Sequence, residues 1–453
     1  MRRIIRRPGW LLAAILAASI VWPPLAPARE RPGPRAAPAA RLSAGAAAVD
    51  VSLPAGTPLA GYGGFPRRAW LPDILGRFPE AFWFRPSTGV HDPFRVRALV
   101  LDNGRTRLLW LAVDLVGIDP TLLSELAARL AAEGSRYSGI ILSASHTHSG
   151  PGAFAESALF GFVAVDRPSP NVRGRILDGL ARAAREAEAR KRPARLGTGS
   201  AELTGVGQSR VQAPLDLQLG VLKIVALDGQ PLAVIWNYAV HGTALGRENL
   251  LLSGDLMGDA TARIERELRV PALFVNGAVG DVSPAARGWA GVRSAGELLA
   301  TSVLNAWRGI RLDAASRLDV LVERVALPSP AVSLRNCLGR WLPSMLTLGL
   351  SDALPAAAEL TAVQIGNTGW VTIPGELQTQ LGLDVKRAGR AAFDHVFVAG
   401  VSNGYLGYFL TAADYTRPSY IACGSLYGDR GGEVMRDAAI AALKRLAGRG
   451  DSR

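Results

Sequence analysis

Two of the chain's five histidines lie two residues apart and directly follow an apolar run. His146 and His148 come after residues 139–144, a run that predicts a buried strand. Because residues two apart in an extended chain point to one face, we expect both imidazoles to lie at the carboxyl end of that strand, where open α/β sheets bind ligands. The pair predicts either a metal site or two hydrogen-bonded loop histidines.

Two further candidate ligands also follow apolar runs. His241 comes after residues 232–239, and Glu376 comes after residues 370–373. A buried carboxylate is costly unless it is paired or binds a cation, and two histidines with one carboxylate suit a catalytic zinc that keeps an open coordination position. The alternative for each residue is a helix cap or a hydrogen-bonded core group.

A serine and a group of tyrosines complete the candidate residues. Ser283 follows the run 272–276 and a glycine-rich turn, which would expose its hydroxyl to a substrate carbonyl. It does not lie in a Gly-x-Ser-x-Gly motif, so the pattern alone favours a turn residue. The tyrosines between residues 405 and 420 favour packing or hydrogen-bonding roles over metal binding.

Four segments resemble motifs of the neutral/alkaline non-lysosomal ceramidase family and occur in that family's order. They are His-Thr-His-Ser-Gly-Pro at 146–151, Gly-Asp-Val-Ser-Pro at 280–284, Pro-Gly-Glu at 374–376 and the Asn-x-Tyr-x-x-Tyr stretch at 403–408. The resemblance covers most of the chain after residue 48. We expect the chain to correspond to the family's catalytic N-terminal domain, without its C-terminal immunoglobulin-like domain.

The resemblance implies roles for eight side chains. The four zinc ligands would be His146, His241, Glu376 and Tyr408. The groups around the scissile amide would be His148, Arg210 and Tyr420, with Ser283 as the active-site serine. The match of Arg210 depends mainly on its distance from His146, because the family's Asn-Arg-Ser-Pro is replaced by Ser-Arg-Val-Gln at 209–212.

The resemblance further implies zinc-dependent hydrolysis of N-acyl amide lipids. The first expected substrate is ceramide, cleaved to a sphingoid base and a fatty acid. Zinc would activate water and polarise the amide carbonyl, and Ser283 would either attack directly or hold a substrate hydroxyl. The alternative is an exported lipid-binding or envelope scaffold that has the same fold but no turnover.

The segments between these motifs predict the elements that position them. Apolar runs predict strands at 95–101, 107–116, 139–145, 219–226, 232–239 and 272–276. Helical spacing predicts helices at 119–133, 172–190, 256–268 and 433–446, the first of them capped by Asp119 and followed by Pro120. The alternation predicts an α/β fold with a mixed or parallel sheet flanked by helices, in a single large catalytic domain over 49–453.

The N-terminal residues have the pattern of an export sequence. Residues 1–8 carry four arginines and no acid, 10–22 are apolar except for Ser19, and 26–28 are small residues suited to cleavage. We therefore expect a signal peptide or N-terminal anchor at 1–28, an Ala/Pro/Arg-rich linker at 29–48, and a periplasmic, secreted or membrane-tethered protein.

Composition excludes several classes of protein. The net charge is +13, but only four of the 51 basic residues are lysines and the arginines are scattered, which favours a compositional bias over a surface for nucleic acid. We expect no nucleic-acid partner. Cys337 and Cys423 allow at most one disulfide and exclude a zinc module with four thiolates.

Residues 336–354 are unusually apolar for a segment that Gly339, Pro343 and Gly349 interrupt. One interpretation is a membrane-facing lip around a lipid entrance, which would give a peripheral membrane contact. The other is a buried loop or a short core helix. The sequence does not indicate which oligomeric state the protein adopts.

Overall fold

The computed structural model describes residues 42–313 and 317–451, and its largest feature is an eight-stranded mixed sheet. The strands in chain order are β1 Ser43–Asp50, β2 Arg95–Asp102, β3 Arg107–Val113, β4 Gly139–Ala144, β5 Arg192–Glu202, β6 Gln218–Ala226, β7 Pro231–Tyr238 and β8 Ala272–Asn276. Their order across the sheet is β8-β7-β6-β5-β1-β2-β3-β4. The pairs β3–β4 and β7–β8 are parallel, and the other neighbours are antiparallel.

A second sheet of four strands packs against the first. Its strands, in both chain and spatial order, are β9 Leu318–Ala326, β10 Ala357–Ile365, β11 Thr368–Thr372 and β12 His395–Ala399. Only β11 and β12 are parallel. Trp110 of β3 meets Trp370 of β11 edge to face at a centroid separation of 5.0 Å, and both rings are buried in the core between the sheets.

Helices cover the outer face of each sheet. They are α1 Pro120–Ala132, α2 Pro170–Ala189, α3 Asp255–Leu268, α4 Gly288–Gly309, α5 Thr379–Gly389 and α6 Gly431–Asp451. The first two pack on β1–β4, the next two on β6–β8, and the last two on the second sheet. The predicted α/β fold with a mixed sheet and flanking helices is confirmed, and the second sheet is an addition that the sequence did not predict.

Short elements connect these layers. Two-residue and three-residue strands pair as Gly89–Val90 with Leu251–Leu252, Gly207–Ser209 with Val282–Pro284, Ala331–Ser333 with Thr347–Gly349, and Glu376–Leu377 with Tyr408–Phe409. Short helical segments are Ala158–Phe160, the π-turn Gly161–Val165, Leu334–Leu338, Ala412–Tyr415 and Tyr420–Cys423. Within the described ranges, no helix is long and apolar enough to cross a bilayer.

The last residues of the predicted linker at 29–48 belong to strand β1. Ala44 and Ala47 are buried in the sheet, and a Cβ at Gly45 would lie 2.1 Å from the carbonyl oxygen of Ala187 on α2. The small side chains therefore allow helix α2 to approach the strand closely, and they do not indicate a flexible connection. The remainder of the predicted linker and the predicted export sequence lie outside the described residues.

Helix α1 begins as predicted. Asp119 accepts a hydrogen bond from the backbone N–H of Thr121 at 3.0 Å, which satisfies one free donor of the first turn. The same carboxylate accepts from the N–H of Glu156 at 2.6 Å and from Arg173 on α2 at 3.2 Å. One buried side chain therefore fixes the start of α1 against α2 and a loop.

We expect Asp119→Ala to lower the free energy of unfolding by about 2–3 kcal/mol, because the change removes a cap and leaves buried donors without an acceptor. Urea denaturation would measure this loss. Asp178→Ala is the matched control, since Asp178 forms an exposed ion pair with Arg129 and its loss should cost about 0.5 kcal/mol. Equal losses in the two variants would contradict the role given to Asp119.

Candidate metal centre

The predicted site residues meet where strands of both sheets end. Asn276, the last residue of β8, donates to the carbonyls of Ser145 and Val240 at 3.1 and 3.0 Å. Asn237 of β7 donates to the carbonyl of Val398 on β12 at 3.0 Å. These buried amides hold the loops after β4, β7 and β12 at one place.

His146 is positioned by a left-handed turn. Strand β4 ends at Ala144, and His146 has a φ of 64°. Its Nδ1 lies 2.5 Å from the carbonyl oxygen of Val116, and its ring centroid is 5.1 Å from that of His148. The two rings do converge, but the expectation that strand alternation would orient them was wrong, because the strand ends before either residue.

His241 is held in the same way. Its Nδ1 lies 2.8 Å from the carbonyl oxygen of Val282. Burial, followed by the charge of Arg210, lowers the pKa of His241 to about 3, so the ring is neutral at neutral pH. With the proton on Nδ1 facing a carbonyl, Nε2 carries a lone pair, which is the tautomer of a metal-binding histidine.

Glu376 places its carboxylate between the two histidines. Oε2 lies 2.9 Å from Nε2 of His241, and Oε1 lies 3.3 Å from Nε2 of His146. Burial opposes the negative charge of this carboxylate, so a cation beside it is needed to stabilise the ionised form. All three residues are almost completely buried.

This arrangement fits a bound cation. Nε2 of His146, Nε2 of His241 and Oε2 of Glu376 are buried and have no hydrogen-bond partner among the described residues. Lone pairs that face a carboxylate repel it unless a positive charge lies between them. The ligand atoms of His146, His148 and His241 also lie within 4.8 Å of one another, which a single ion can bridge.

Two tyrosines border Glu376. Tyr408 lies opposite Glu376 in the short parallel strand pair and interacts electrostatically with it and with Arg210. Tyr405 donates from its hydroxyl to Oε1 of Glu376 at 2.5 Å. Burial raises the pKa of both phenols well above its ordinary value. The sequence placed Tyr405 in the tyrosine motif but did not identify it as a site residue.

We expect Tyr405→Phe to weaken divalent-metal affinity about 10–100-fold, because the hydroxyl orients a proposed ligand carboxylate. Competition with a chromogenic chelator would measure the change. Tyr238→Phe is the matched control, since its buried hydroxyl donates to the carbonyl of Leu203 in another part of the core. An unchanged affinity in Tyr405→Phe would show that the residue serves packing alone.

Arg210, Ser283 and Tyr420 form the other side of the site. Nε of Arg210 donates to Oγ of Ser283 at 2.8 Å, and its guanidinium carbon lies 5.4 Å from the ring centroid of Tyr420. The strand pair Gly207–Ser209 with Val282–Pro284 sets this contact. Since the rings of Tyr420 and Tyr408 are 6.3 Å apart, the structure brings all eight predicted residues into one region.

The site has a buried end and an open end. His146, His241 and Glu376 lie at the buried end, whereas Arg210, Ser283 and Tyr408 are partly exposed. Tyr420 is 62% exposed. The site is therefore accessible to solvent on the side of Tyr420.

Sequence reasoning missed the segment that supports His148. The ring of Tyr62 packs edge to face on His148 at 4.9 Å. The buried Arg67 donates to the backbone carbonyl of His148 at 2.9 Å and to that of Ala60 at 3.0 Å. No motif or apolar run marks these residues, so only the folded chain reveals their role.

The fold and the site define a two-sheet α/β protein with a candidate His/Glu metal centre at its strand ends. Residues 84–298 match the family described as Neutral/alkaline non-lysosomal ceramidase, N-terminal. The predicted resemblance is thereby confirmed.

Curated relatives match a similar part of the chain. Neutral ceramidase of Pseudomonas aeruginosa is 29% identical over 223 residues, which are 44% of this chain and 33% of that protein. Neutral ceramidase A of Dictyostelium discoideum is 29% identical over 230 residues, or 44% of this chain and 32% of that protein. The matched region thus spans about a third of these relatives.

Solved structures share the fold over a larger part of the chain. The crystal structure of neutral ceramidase from Pseudomonas aeruginosa superposes with a TM-score of 0.77 at 21% identity, covering 90% of this chain and 75% of that one. A structure described as ceramidase complexed with C2 gives a TM-score of 0.78 at 20% identity, covering 90% of this chain and 76% of that one. The two-sheet architecture is therefore that of solved ceramidases.

Proposed function

We propose that this chain is a metal-dependent amidohydrolase that cleaves N-acyl amide lipids, with ceramide as the first substrate. A sphingoid base and a fatty acid would be the products. The main support for this proposal is the position of the Glu376 carboxylate between two histidine lone pairs, an arrangement that a cation stabilises. The ceramidase relatives and the shared fold support the choice of an amide lipid.

The proposed metal is Zn²⁺, held by His146, His241, Glu376 and Tyr408. Nitrogen and oxygen ligands at a buried site suit this ion. We assign His148 to the substrate side, because its Nδ1 has no carbonyl partner among the described residues, unlike Nδ1 of the other two histidines. When bound, the metal would supply a Lewis acid that polarises the amide carbonyl and acidifies a water molecule.

Side chains of the site would stabilise the charge that develops in the reaction and transfer its protons. Arg210 is a fixed cation that can stabilise the oxyanion formed at the scissile carbonyl. The ring of His148 lies 5.1 Å from that of His146 and 5.9 Å from that of His241, so we assign it to accept a proton beside the proposed ligands. The ring of Tyr420 lies beside the guanidinium of Arg210, and its phenol is proposed to protonate the departing amine.

Ser283 is proposed to hold a substrate hydroxyl. Its Oγ accepts a hydrogen bond from Arg210, which draws electron density away from the oxygen and makes it a poor nucleophile. Its own hydrogen remains available for donation to a substrate oxygen. A water nucleophile is therefore favoured over direct attack by Ser283.

The deciding experiment incubates purified protein with a panel of N-acyl lipids, with and without a chelator, and measures released fatty acid and bound metal. Metal-dependent release from ceramide is the expected result. A non-catalytic lipid-binding scaffold would bind ceramide without release. The unpartnered ligand atoms at the buried end favour the enzyme, because a scaffold gains nothing from a repulsive buried cluster.

We also propose that the protein is exported. Cys337 and Cys423 form a disulfide with an S–S distance of 2.07 Å, and such bonds persist in oxidising compartments. This bond agrees with the export pattern of residues 1–28. Fractionation of producing cells, with N-terminal sequencing of the mature chain, would test the proposal.

A further inference from the structure

The surface carries an exposed group of large apolar side chains between residues 70 and 75, called here the apolar patch. Its members are Trp70, Leu71, Ile74 and Leu75, each between 76% and 84% exposed. Phe65 lies beside the patch, with its ring 5.1 Å from that of Trp70. Several large apolar side chains exposed this close together in the chain mark a candidate interaction site.

The patch is connected to the candidate site through His148. The segment that leads into it contains Tyr62 and Arg67, which contact the ring and the backbone carbonyl of His148. Arg68 donates to the carbonyl of Phe162 at 2.6 Å, and Phe162 is itself half exposed. The patch therefore lies on a segment that the site itself holds in place.

A second exposed apolar segment, residues 338–348, is attached to the open end of the site. Trp341 and Met345 are 76% and 83% exposed, so the interpretation of 336–354 as a buried loop or core helix was wrong. The disulfide Cys337–Cys423 ties this segment to the short helix that carries Tyr420. Exposed apolar segments are thus connected to the site through the supports of His148 and of Tyr420.

Cationic side chains accompany both surfaces. Residues 331–350 contain Arg335 and Arg340 and no acidic residue. Beside the apolar patch, a pocket of about 260 Å³ is lined by apolar groups together with Arg77, Arg85, Ser87 and Thr88, and its one acid, Asp73, already pairs with Arg77. Arginine and hydroxyl groups are suited to phosphate oxygens.

We propose that the apolar patch and the segment 338–348 together form a docking surface for an anionic phospholipid bilayer. Tryptophan and aliphatic side chains would enter the acyl boundary, while the arginines would contact lipid phosphates at the headgroup level. The proposal deepens the proposed function, because a bilayer seated on this surface presents its amide lipids to the open end of the site. The arginines distinguish this occupant from an uncharged apolar partner.

The test is sedimentation with vesicles of phosphatidylcholine alone or mixed with phosphatidylglycerol. The variant Trp70→Ser/Leu71→Ser/Ile74→Ser/Leu75→Ser should lower the partition coefficient at least about tenfold, given the apolar area it removes from the interface. The matched control is Leu227→Ser/Leu298→Ser, which changes exposed leucines elsewhere and should bind as the parent does. Arg85→Gln/Arg340→Gln should lose most of the preference for anionic vesicles.

Three results would overturn the proposal. These are equal partition of the parent and the fourfold variant, an equal loss in the leucine control, or a dimer in solution that the fourfold variant converts to a monomer. The last result would identify a second copy of the chain as the occupant. Vesicle binding needs no turnover, so binding without amide hydrolysis would contradict the proposed function and leave the docking surface intact.

Discussion

The His146→Ala variant is expected to lose bound divalent metal and amide hydrolysis together. The imidazole supplies one of the lone pairs that face Glu376, and its Nδ1 is fixed by a backbone carbonyl, so its removal takes away a proposed ligand held in place for the metal. Because the metal contributes several kcal/mol to transition-state stabilisation, the rate should fall about a thousandfold or more. Metal analysis of purified protein and fatty-acid release would be measured on the same preparation.

The control for this prediction is His395→Ala. His395 begins strand β12, so it lies at the end of that strand opposite to the site. We expect this variant to keep its metal and its activity. A His146→Ala protein that remains folded and fully active without metal would refute the proposed chemistry.

Arg210→Ala should retain its metal but lower kcat about 10²–10³-fold, the usual cost of removing one donor to a developing oxyanion. The guanidinium contacts Ser283 and the ring of Tyr420, so its removal also frees two groups beside the scissile bond. Single-turnover kinetics with ceramide would separate the chemical step from binding. Circular dichroism and metal content should match those of the parent.

Arg445→Ala is the control for that variant. Arg445 forms a partly exposed ion pair with Glu323 on the outer face of the second sheet. Its loss should leave kcat unchanged. If Arg210→Ala raises KM and leaves kcat unchanged, Arg210 binds the ground state and transition state equally, contrary to its proposed role.

The sequence predicted the strands whose residues form continuous apolar runs. All six predicted strands exist, with ends that shift by a few residues, because buried strands need apolar side chains on both faces. Strand β9 was missed because Asp319, Glu323 and Arg324 interrupt its apolar residues. The packing of two sheets face to face was also missed. Hydrophobic periodicity predicts which face of a strand is buried, but it does not predict which other sheet or helix covers that face.

Prediction of the site depended on short motifs more than on secondary structure. The motifs around His146, Ser283 and Glu376 supplied residues that the structure places together. Tyr62 and Arg67 act through contacts formed by residues distant in the chain, so no local pattern distinguishes them. The hydrogen bond from Tyr405 to Glu376 likewise depends on two loops that meet only after folding.

The bond between Cys337 and Cys423 has a practical consequence for any preparation of the protein. It joins positions separated by 86 residues and anchors the helix that carries Tyr420. Protein produced in a reducing cytosol would fold with that anchor open. Because the N–H of Tyr408 donates to the carbonyl of Gly424, next to Cys423, an open bond would loosen the supports of both tyrosines, and the thiol content of a preparation should be measured together with its metal content.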